Sequence, residues 1–401
     1  MQKFPLRNPE VFLPDKSIDL NKWAVIACDQ FTSQKDYWVK LEAYVNDNPS
    51  TLNVIYPEVY LNENMDKRIT RINQNMEDYK NLLEGVGDAY ILLERTLNNK
   101  KVRLGLIGAV DVEAYDFKLT KPLIRATEQT IIERIPPREK IRTNALFELS
   151  HIMLLFDGKI KNITKDLQNM KADFEVLYDF PLNMNGGHLR GYKISDTKLV
   201  EDKFKELITT DKDPLLFIVG DGNHSLATAK SHWDHIKVNL TEKEKENHPA
   251  RFALVEIVNI YDEGLDFEGI HRVVYNHDEN FLKDLEKLLP QEEETWVYKK
   301  AFGKKAFYIP KNRALAYEII EGYIDEYILK HKNAIVDYIH GDDDLIEVLD
   351  KNPDAIGIRM PTISREQMFE IIQANKVLPR KSFSMGEAID KRYYLETKMI
   401  K

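Results

Sequence analysis

A mixed α/β fold is predicted by three features of the sequence. Helix-periodic and strand-like segments alternate along the chain. Some neighbouring strand-like segments are joined by turns too short for a crossover helix. One fully apolar strand, Leu215-Leu-Phe-Ile-Val219, runs into a glycine turn and then a helix. Alternation alone would give a doubly wound parallel sheet; the short turns put antiparallel neighbours in the same sheet.

The elements follow in order. Trp23-Ala-Val-Ile-Ala-Cys28 reads as a buried strand. Thr32 or Ser33 suits the cap of a helix carrying Tyr37, Trp38, Leu41, Tyr44 and Val45 at helical spacing. Asn53 to Tyr60 reads as an edge strand, because Pro57 has no N–H to donate. Met65, Ile69, Ile72, Met76, Tyr79 and Leu83 form the core-facing stripe of an amphipathic helix that ends at Gly85. Ala89–Glu94 and Val102–Asp111 make a hairpin through Asn98-Asn99-Lys100. A helical region around Glu128 breaks at Pro136-Pro137 and restarts with Pro137 as its first residue. Ile152–Phe156, Phe174–Phe180 and Leu189–Ile194 read as strands, the last two around Gly186-Gly187. Ser195 caps a helix with Leu199, Phe204 and Ile208. Asn239 to His248 is charged and lacks an apolar period, so it reads as a surface loop or flap. Arg251–Tyr261 is a long strand. The pattern restarts after residue 275, which divides the chain into a catalytic or nucleotide-binding α/β region, 1–275, and a C-terminal α/β subdomain, 276–401.

A chain of 401 residues and 46.9 kDa is long enough for two or three domains. The 19 Tyr and 17 Phe residues need burying, which argues against disorder. With 57 basic against 66 acidic residues, net −9, the charge argues against a general nucleic-acid or anionic-membrane binder and leaves a local basic patch open. The single cysteine, Cys28, rules out an intrachain disulfide and a multi-cysteine metal site. It fits the reducing cytoplasm, where the protein is expected. The N-terminus lacks the apolar core of a signal peptide, and no apolar run approaches the ~20 residues of a membrane helix.

The strongest chemical signal is Gly220-Asp221-Gly222-Asn223-His224-Ser225, between a buried strand and a helix. Such a turn aims the first free N–H groups of the helix outward and favours an anion, most often phosphate. Gly220 and Gly222 let the backbone approach that anion. Asp221 can bind a metal or accept a proton, His224 sits where the dipole favours neutral imidazole, and Ser225 adds a hydroxyl. The plainer alternative is a tight turn with Asn223 as helix cap. The turn is neither a Walker loop, lacking Gly-Lys-Ser/Thr, nor the three-glycine dinucleotide fingerprint. Asp29, at the end of the first strand, suits a general base or metal ligand, or a plain loop residue. Arg134, Arg138 and Arg142 recur every four residues and suit phosphate or carboxylate, or a solvated face paired to Glu133 and Glu139. His188 lies beside Gly186-Gly187, and His271-Arg272 just beyond the long strand; each can face a site or only close a turn. His232 and His235 read as surface histidines, since no third metal ligand of matching spacing accompanies them.

Together these segments resemble a known family. Gly220-Asp-Gly-Asn-His-Ser-Leu-Ala-Thr-Ala-Lys230, Asp262-Glu-Gly-Leu-Asp-Phe-Glu-Gly-Ile-His-Arg272, Leu378-Pro-Arg-Lys-Ser-Phe-Ser-Met-Gly386 and Gly105-Leu-Ile-Gly-Ala-Val110 are similar to blocks of the domain of unknown function 1015 family, from Trp23 to Tyr394. Many members carry Asp-Gly-His-His-Arg at the turn, a motif similar to one in free serine kinases. The resemblance implies a ParB/sulfiredoxin-like nucleotide-binding core with large insertions and a C-terminal α/β subdomain. It also implies transfer of a phosphoryl group to free L-serine or a similar small hydroxy compound, with magnesium and ATP, ADP or pyrophosphate as donor. Asp221, Gly222 and His224 match the motif; Asn223 replaces its first histidine and Ser225 its arginine. Of the Pro-Pro-Tyr-Asp that many members have after the first strand, only Asp29 is retained.

Under that resemblance Asp29 or Asp221 is the base, Asp221 the metal ligand, and Arg134 or Arg142 the substitute for the missing arginine. Arg272 or Arg142 would meet the substrate carboxylate, with Glu128, His188 and His271 among the substrate contacts. A non-catalytic, nucleotide-responsive binding module of ParB-like type is the rival reading. A hydrolase using Asp221 and His224 as an acid–base pair is a third. A homodimer is left open by the sequence.

Overall fold

The structure, a computed structural model, describes residues 3–32, 34–61, 65–117, 121–208, 213–374, 376–379 and 381–401. Ser33, one of the two caps expected from the sequence, lies outside them. The chain is mixed α/β, as expected. It divides into two compact units: Met1–Ala126, Thr130–Leu265 and Glu387–Lys401 form the first, and Thr127–Gln129 with Asp266–Gly386 the second. A boundary at 275 would fall after the strand Phe267–Tyr275. That strand pairs with Ile335–His340 and Ile356–Ile358, and by contact it belongs wholly to the second unit.

The first unit is built on a ten-stranded mixed sheet. Its centre is Val102–Asp111, antiparallel to both Tyr90–Thr96 and Phe252–Asn259. Phe252–Asn259 runs parallel to Ile152–Phe156, which is antiparallel to Phe217–Asp221. The central strands are apolar on both faces because each face is covered. Leu106, Leu154, Phe156, Phe217 and Val255 pack under helices on one side, and Ile91, Leu93, Ile107 and Leu254 join Trp23, Trp38 and Tyr393 on the other. The C-terminal strand Thr397–Met399 joins a small sheet with Glu10–Pro14, Leu83–Asp88 and Phe147–Leu149, tying the last residues to this unit. In the second unit, Phe267–Tyr275 is the common partner of Ile335–His340, Ile356–Ile358 and Phe383–Met385.

Several segments depart from the sequence reading for local reasons. Asn53–Tyr60 is not a strand: Ser50 caps a 3₁₀ turn, Thr51–Val54, and Pro57 opens a second, Glu58–Tyr60. The amphipathic helix stops at Tyr79, and Gly85 lies within the strand Leu83–Asp88. No helix surrounds Glu128, which instead forms a bridge to Leu378 in the second unit. Pro136 and Pro137 sit in the first turn of the helix Ile135–Thr143, where a missing N–H costs nothing. Asp196, not Ser195, caps the helix Thr197–Lys205. The charged stretch 239–248 holds a short helix, Glu242–Asn247, closed by a Thr241/Glu244 capping box. A capping box compensates for the missing apolar stripe.

Candidate functional site

Phe217–Asp221 and the helix Asn223–Ile236 meet at Gly222. The strand does not end cleanly. Met153 faces Asp221 while Leu154 faces Val219, so Gly220 is an extra residue in a bulge. A bulge bends its strand and re-aims the next side chain, here that of Asp221. Gly222 then takes a left-handed conformation, φ +77°, as the helix N-cap. A Cβ there would lie 3.1 Å from His151 Cδ2 and 3.1 Å from Ile152 Cα, so glycine is required for shape as well as for φ. The cap is thus Gly222 rather than Asn223. No side chain caps the helix, so its first N–H groups stay open, and the Oδ1 of Asn223 is buried without a hydrogen-bond partner.

His151, just before the strand Ile152–Phe156, lies against this turn. Its Nε2 is 3.6 Å from Asp29 Oδ2, and its Nδ1 meets the hydroxyl of Tyr394 at 2.5 Å. That hydroxyl accepts the Cys28 backbone N–H at 3.1 Å and is 3.3 Å from the Cys28 sulfur. Burial above all, then the Asp29 charge, pushes the Cys28 thiol up to about 12, so it stays protonated.

Asp221 is held ionised. Burial raises its pKa, but Lys391 and His151 and the Gly222 N–H outweigh that and bring it below its ordinary value. Its Oδ1 accepts the Gly222 N–H at 2.8 Å, and Oδ2 lies 3.3 Å from Lys391 Nζ. Each oxygen therefore has a partner within the fold. Among the described residues no three metal-ligating groups cluster.

His224 Nε2 accepts the backbone N–H of Ile131 at 3.2 Å. A backbone N–H can only donate, so the ring proton sits on Nδ1. Burial, then the charges of Arg138 and Arg134, holds this imidazole down at about 4, with Asp29 opposing. At neutral pH His224 is thus a neutral donor through Nδ1. Arg138 pairs with Glu58 and donates to the carbonyl of Arg134 at 3.2 Å; the Glu58 N–H in turn donates to the Cys28 carbonyl at 2.8 Å. Arg134 is exposed, and among the described residues it has no carboxylate partner. None of the three arginines pairs with Glu133 or Glu139; Glu139 instead meets Ser231 and His235.

Asp29, Asp221 and His224 are thus linked through His151 and through shared charge, with Gly220, Gly222, Asn223, Ser225 and Arg134 around them. Of the other expected residues, Arg142 and His188 serve structural pairs within the first unit. Arg142 is a structural ion pair, 2.7 Å from Glu148, whose carboxylate also takes Lys398 at 3.5 Å and the Leu254 N–H at 2.8 Å. His188 pairs with Asp179 at 3.2 Å across the hairpin of Glu175–Pro181 and His188–Ile194. Glu128, His271 and Arg272 belong to the second unit. There Arg272 is wholly buried, its Nε bound to Glu321 at 2.7 Å and its Nη1 to the Ile270 carbonyl at 2.6 Å, while its Nη2 has no hydrogen-bond partner. His271 bonds Asp342 at 3.0 Å and accepts the Met360 N–H at 3.2 Å; burial above all holds it down at about 4. His232 is buried, not on the surface, whereas His235 is exposed.

Sequence reasoning missed His151, Lys391, Tyr394 and Glu58, and did not single out Arg138 from its neighbours. Only His151 carried a signal: a histidine abutting an apolar strand that pairs with the strand feeding the turn. Lys391 and Tyr394 come from the far end of the chain and needed the sheet to bring them in.

Among solved structures the chain is similar to a free serine kinase variant in complex with AMP, at 11% identity and TM-score 0.42, over 75% of this chain and 94% of that one. It is similar to a free serine kinase variant in complex with ADP, at 12% identity and TM-score 0.41, over 75% and 94%. A conserved hypothetical protein from Pyrococcus furiosus aligns at 14% identity and TM-score 0.36, over 73% and 95%. No curated protein matches the chain. No helix among the described residues is long and apolar enough to cross a membrane. The family described as "Protein of unknown function (DUF1015)" matches residues 12–351, and the chain belongs to that family.

Proposed function

We propose that this protein transfers a phosphoryl group from a nucleotide or pyrophosphate donor to the hydroxyl of free L-serine or a similar small hydroxy compound. One observation carries the reading. An uncapped helix start on a left-handed glycine gathers a neutral imidazole donor, an Asp29–His151 pair and the cations Lys391, Arg138 and Arg134 around it. These meet the needs of phosphoryl transfer: an anion cradle, a base, and charge to balance the transferred group.

In this reading the first-turn N–H groups and His224 Nδ1–H hold donor phosphate oxygens. Asp29, oriented by His151, takes the acceptor hydroxyl proton as that oxygen bonds to phosphorus. The bond from phosphorus to the leaving phosphate oxygen breaks, and the leaving group carries its charge away beside the cations. Magnesium would arrive with the donor's phosphates, since no cluster of three metal-ligating groups is found among the described residues; no step here depends on a metal held by Asp221. With Arg142 and Arg272 committed to Glu148 and Glu321, exposed Arg134 is the cation left to meet a substrate carboxylate. The engagement of Asp221 by Lys391 favours a second reading, a nucleotide-responsive binding module in which that pair is structural.

Phosphorus NMR with serine, homoserine and polyols, each with ATP, ADP or pyrophosphate, tests the choice. A new phosphomonoester signal is expected, reduced ~10²–10⁴-fold by Asp29→Asn with donor binding kept. Asp221→Asn, which leaves Lys391 without the carboxylate that positions it beside the turn, is expected to lower transfer. Full transfer by folded forms of both variants would refute the site. No transfer in the wild type, with a nucleotide-dependent melt, would favour the module.

A further inference from the structure

Away from the glycine turn, the first unit contains a cleft of ≈ 560 Å³ between the helix Met65–Tyr79, the end of the helix Lys35–Val45 and the turn Thr51–Val54. This volume lies within the range of small-molecule sites. One wall carries Lys67, Arg68 and Arg71. Lys67 and Arg71 are one helical turn apart, and so are Arg68 and Arg71. Like charges at these spacings repel and destabilise a helix. Among the described residues none of the three has a carboxylate partner. The neighbouring acid Asp66 is turned to Lys140 instead. A chain of net −9 thus concentrates three cations on the edge of a cleft whose lining holds one carboxylate, Glu42, itself bound by the Tyr60 hydroxyl at 3.3 Å.

The cleft is also ordered by its own contacts. The Arg68 guanidinium lies over the Tyr60 ring, 4.2 Å from its centroid, and 5.6 Å from that of Tyr56. This stacking fixes the fork before any ligand arrives. Asn75 is held by a 2.7 Å hydrogen bond to the Asn53 carbonyl. Buried Val45, Ile55 and Ile72 make an apolar floor. A solvated basic face would need neither the stacked arginine nor the apolar floor. Two guanidinium groups and an ammonium suit a multiply charged oxyanion, and the floor suits an organic body attached to it.

We infer that this cleft binds a small organic phosphate, at a site separate from the glycine turn and independent of the phosphotransfer reading. Calorimetric titration of the full chain with AMP, and with adenosine as its uncharged counterpart, tests it. The wild type is expected to bind AMP but not adenosine at this site. The double variant Lys67→Gln/Arg71→Gln is expected to lose at least ~10-fold in AMP affinity, with a shallower salt dependence and an unchanged melt. Arg138→Gln, beside the glycine turn, is expected to leave this class of binding intact. Wild-type AMP affinity in the folded double variant, equal binding of adenosine, or no AMP binding in the wild type would each overturn the inference. Loss of phosphotransfer with the cleft's binding kept would sink only the phosphotransfer reading.

Discussion

Gly222→Ala tests the geometry on which the candidate site rests. At φ +77° an L-residue costs ~1–2 kcal/mol more than glycine. The new Cβ would also press at 3.1 Å on Ile152 Cα, which belongs to a central strand and cannot give way, and at 3.1 Å on His151. Overpacking of this kind adds ~1–3 kcal/mol. Against that, alanine restricts the unfolded chain and returns ~0.4–1 kcal/mol. The net loss is about 2–3 kcal/mol, or roughly 3–5 °C in the melt of a unit this size. Gly87 supplies the control: its φ is +82°, but nothing lies within 4 Å of the Cβ it would gain. Gly87→Ala should therefore lose only the backbone part, about 1 kcal/mol. Tryptophan fluorescence is a suitable reporter, since Trp23, Trp38 and Trp233 all belong to the first unit. Equal melts for the two variants would mean that His151 and Ile152 do not press on the turn, and the account of why glycine is required there would fail.

Three further outcomes are expected. Arg142→Met should destabilise the protein by ~1.5–3 kcal/mol in urea, because it removes the closer of the two cations on the buried Glu148 carboxylate and leaves it to Lys398 and the Leu254 N–H. The protein that remains folded should bind phosphate as tightly as the wild type; weaker binding would return Arg142 to the site. His224, at about 4 when folded against an ordinary 6.5, makes stability fall as pH drops from about 6.5 toward 4, because the unfolded chain takes up a proton that the folded one refuses. Urea midpoints across that window should fall less for His224→Gln than for the wild type, and parallel curves would remove the effect. Arg134→Gln should raise the His224 pKa, since one of the charges holding it down is gone, and a proton NMR titration of the ring showing no rise would place Arg134 out of range.

Where the sequence was legible, chemistry was local. Ile152–Phe156 and Val102–Asp111 are strands as read, because apolar runs of that length have one way to be buried. The glycine turn was legible for the same reason: strand, Gly-x-Gly and helix are contiguous. Its bulge was not, since a bulge is a mismatch with a partner strand that sequence does not display. Asn53–Tyr60 misled because Val54, Ile55, Tyr56, Val59 and Tyr60 have strand-like composition, while Ser50 and Pro57 impose turns. Arg142 and Arg272 misled differently. An arginine's affinity for carboxylates is the same toward substrate and toward a buried glutamate, and only the fold decides which it meets.

The same argument bears on the motif arginine that Ser225 replaces. An arginine in the helix's own first turn would place a positive charge where the macrodipole is already positive, at some cost to the helix. Here the charge comes instead from the start of the neighbouring helix, Ile135–Thr143, where Arg138 and Arg134 bear on His224. Their effect is legible in the imidazole, which their charges help keep neutral. But Arg138 is paired with Glu58, so it takes a phosphate only by giving up that partner. Lys391 is likewise balanced by Asp221. A phosphate arriving at the turn would therefore meet one unbalanced cation, Arg134, on an exposed and uncommitted side chain. Two further cations would become available only if the phosphate competes with Glu58 and Asp221 for them. On this arrangement anion binding is an exchange of partners, and the affinity of the turn for phosphate is set by how readily those two carboxylates give up theirs.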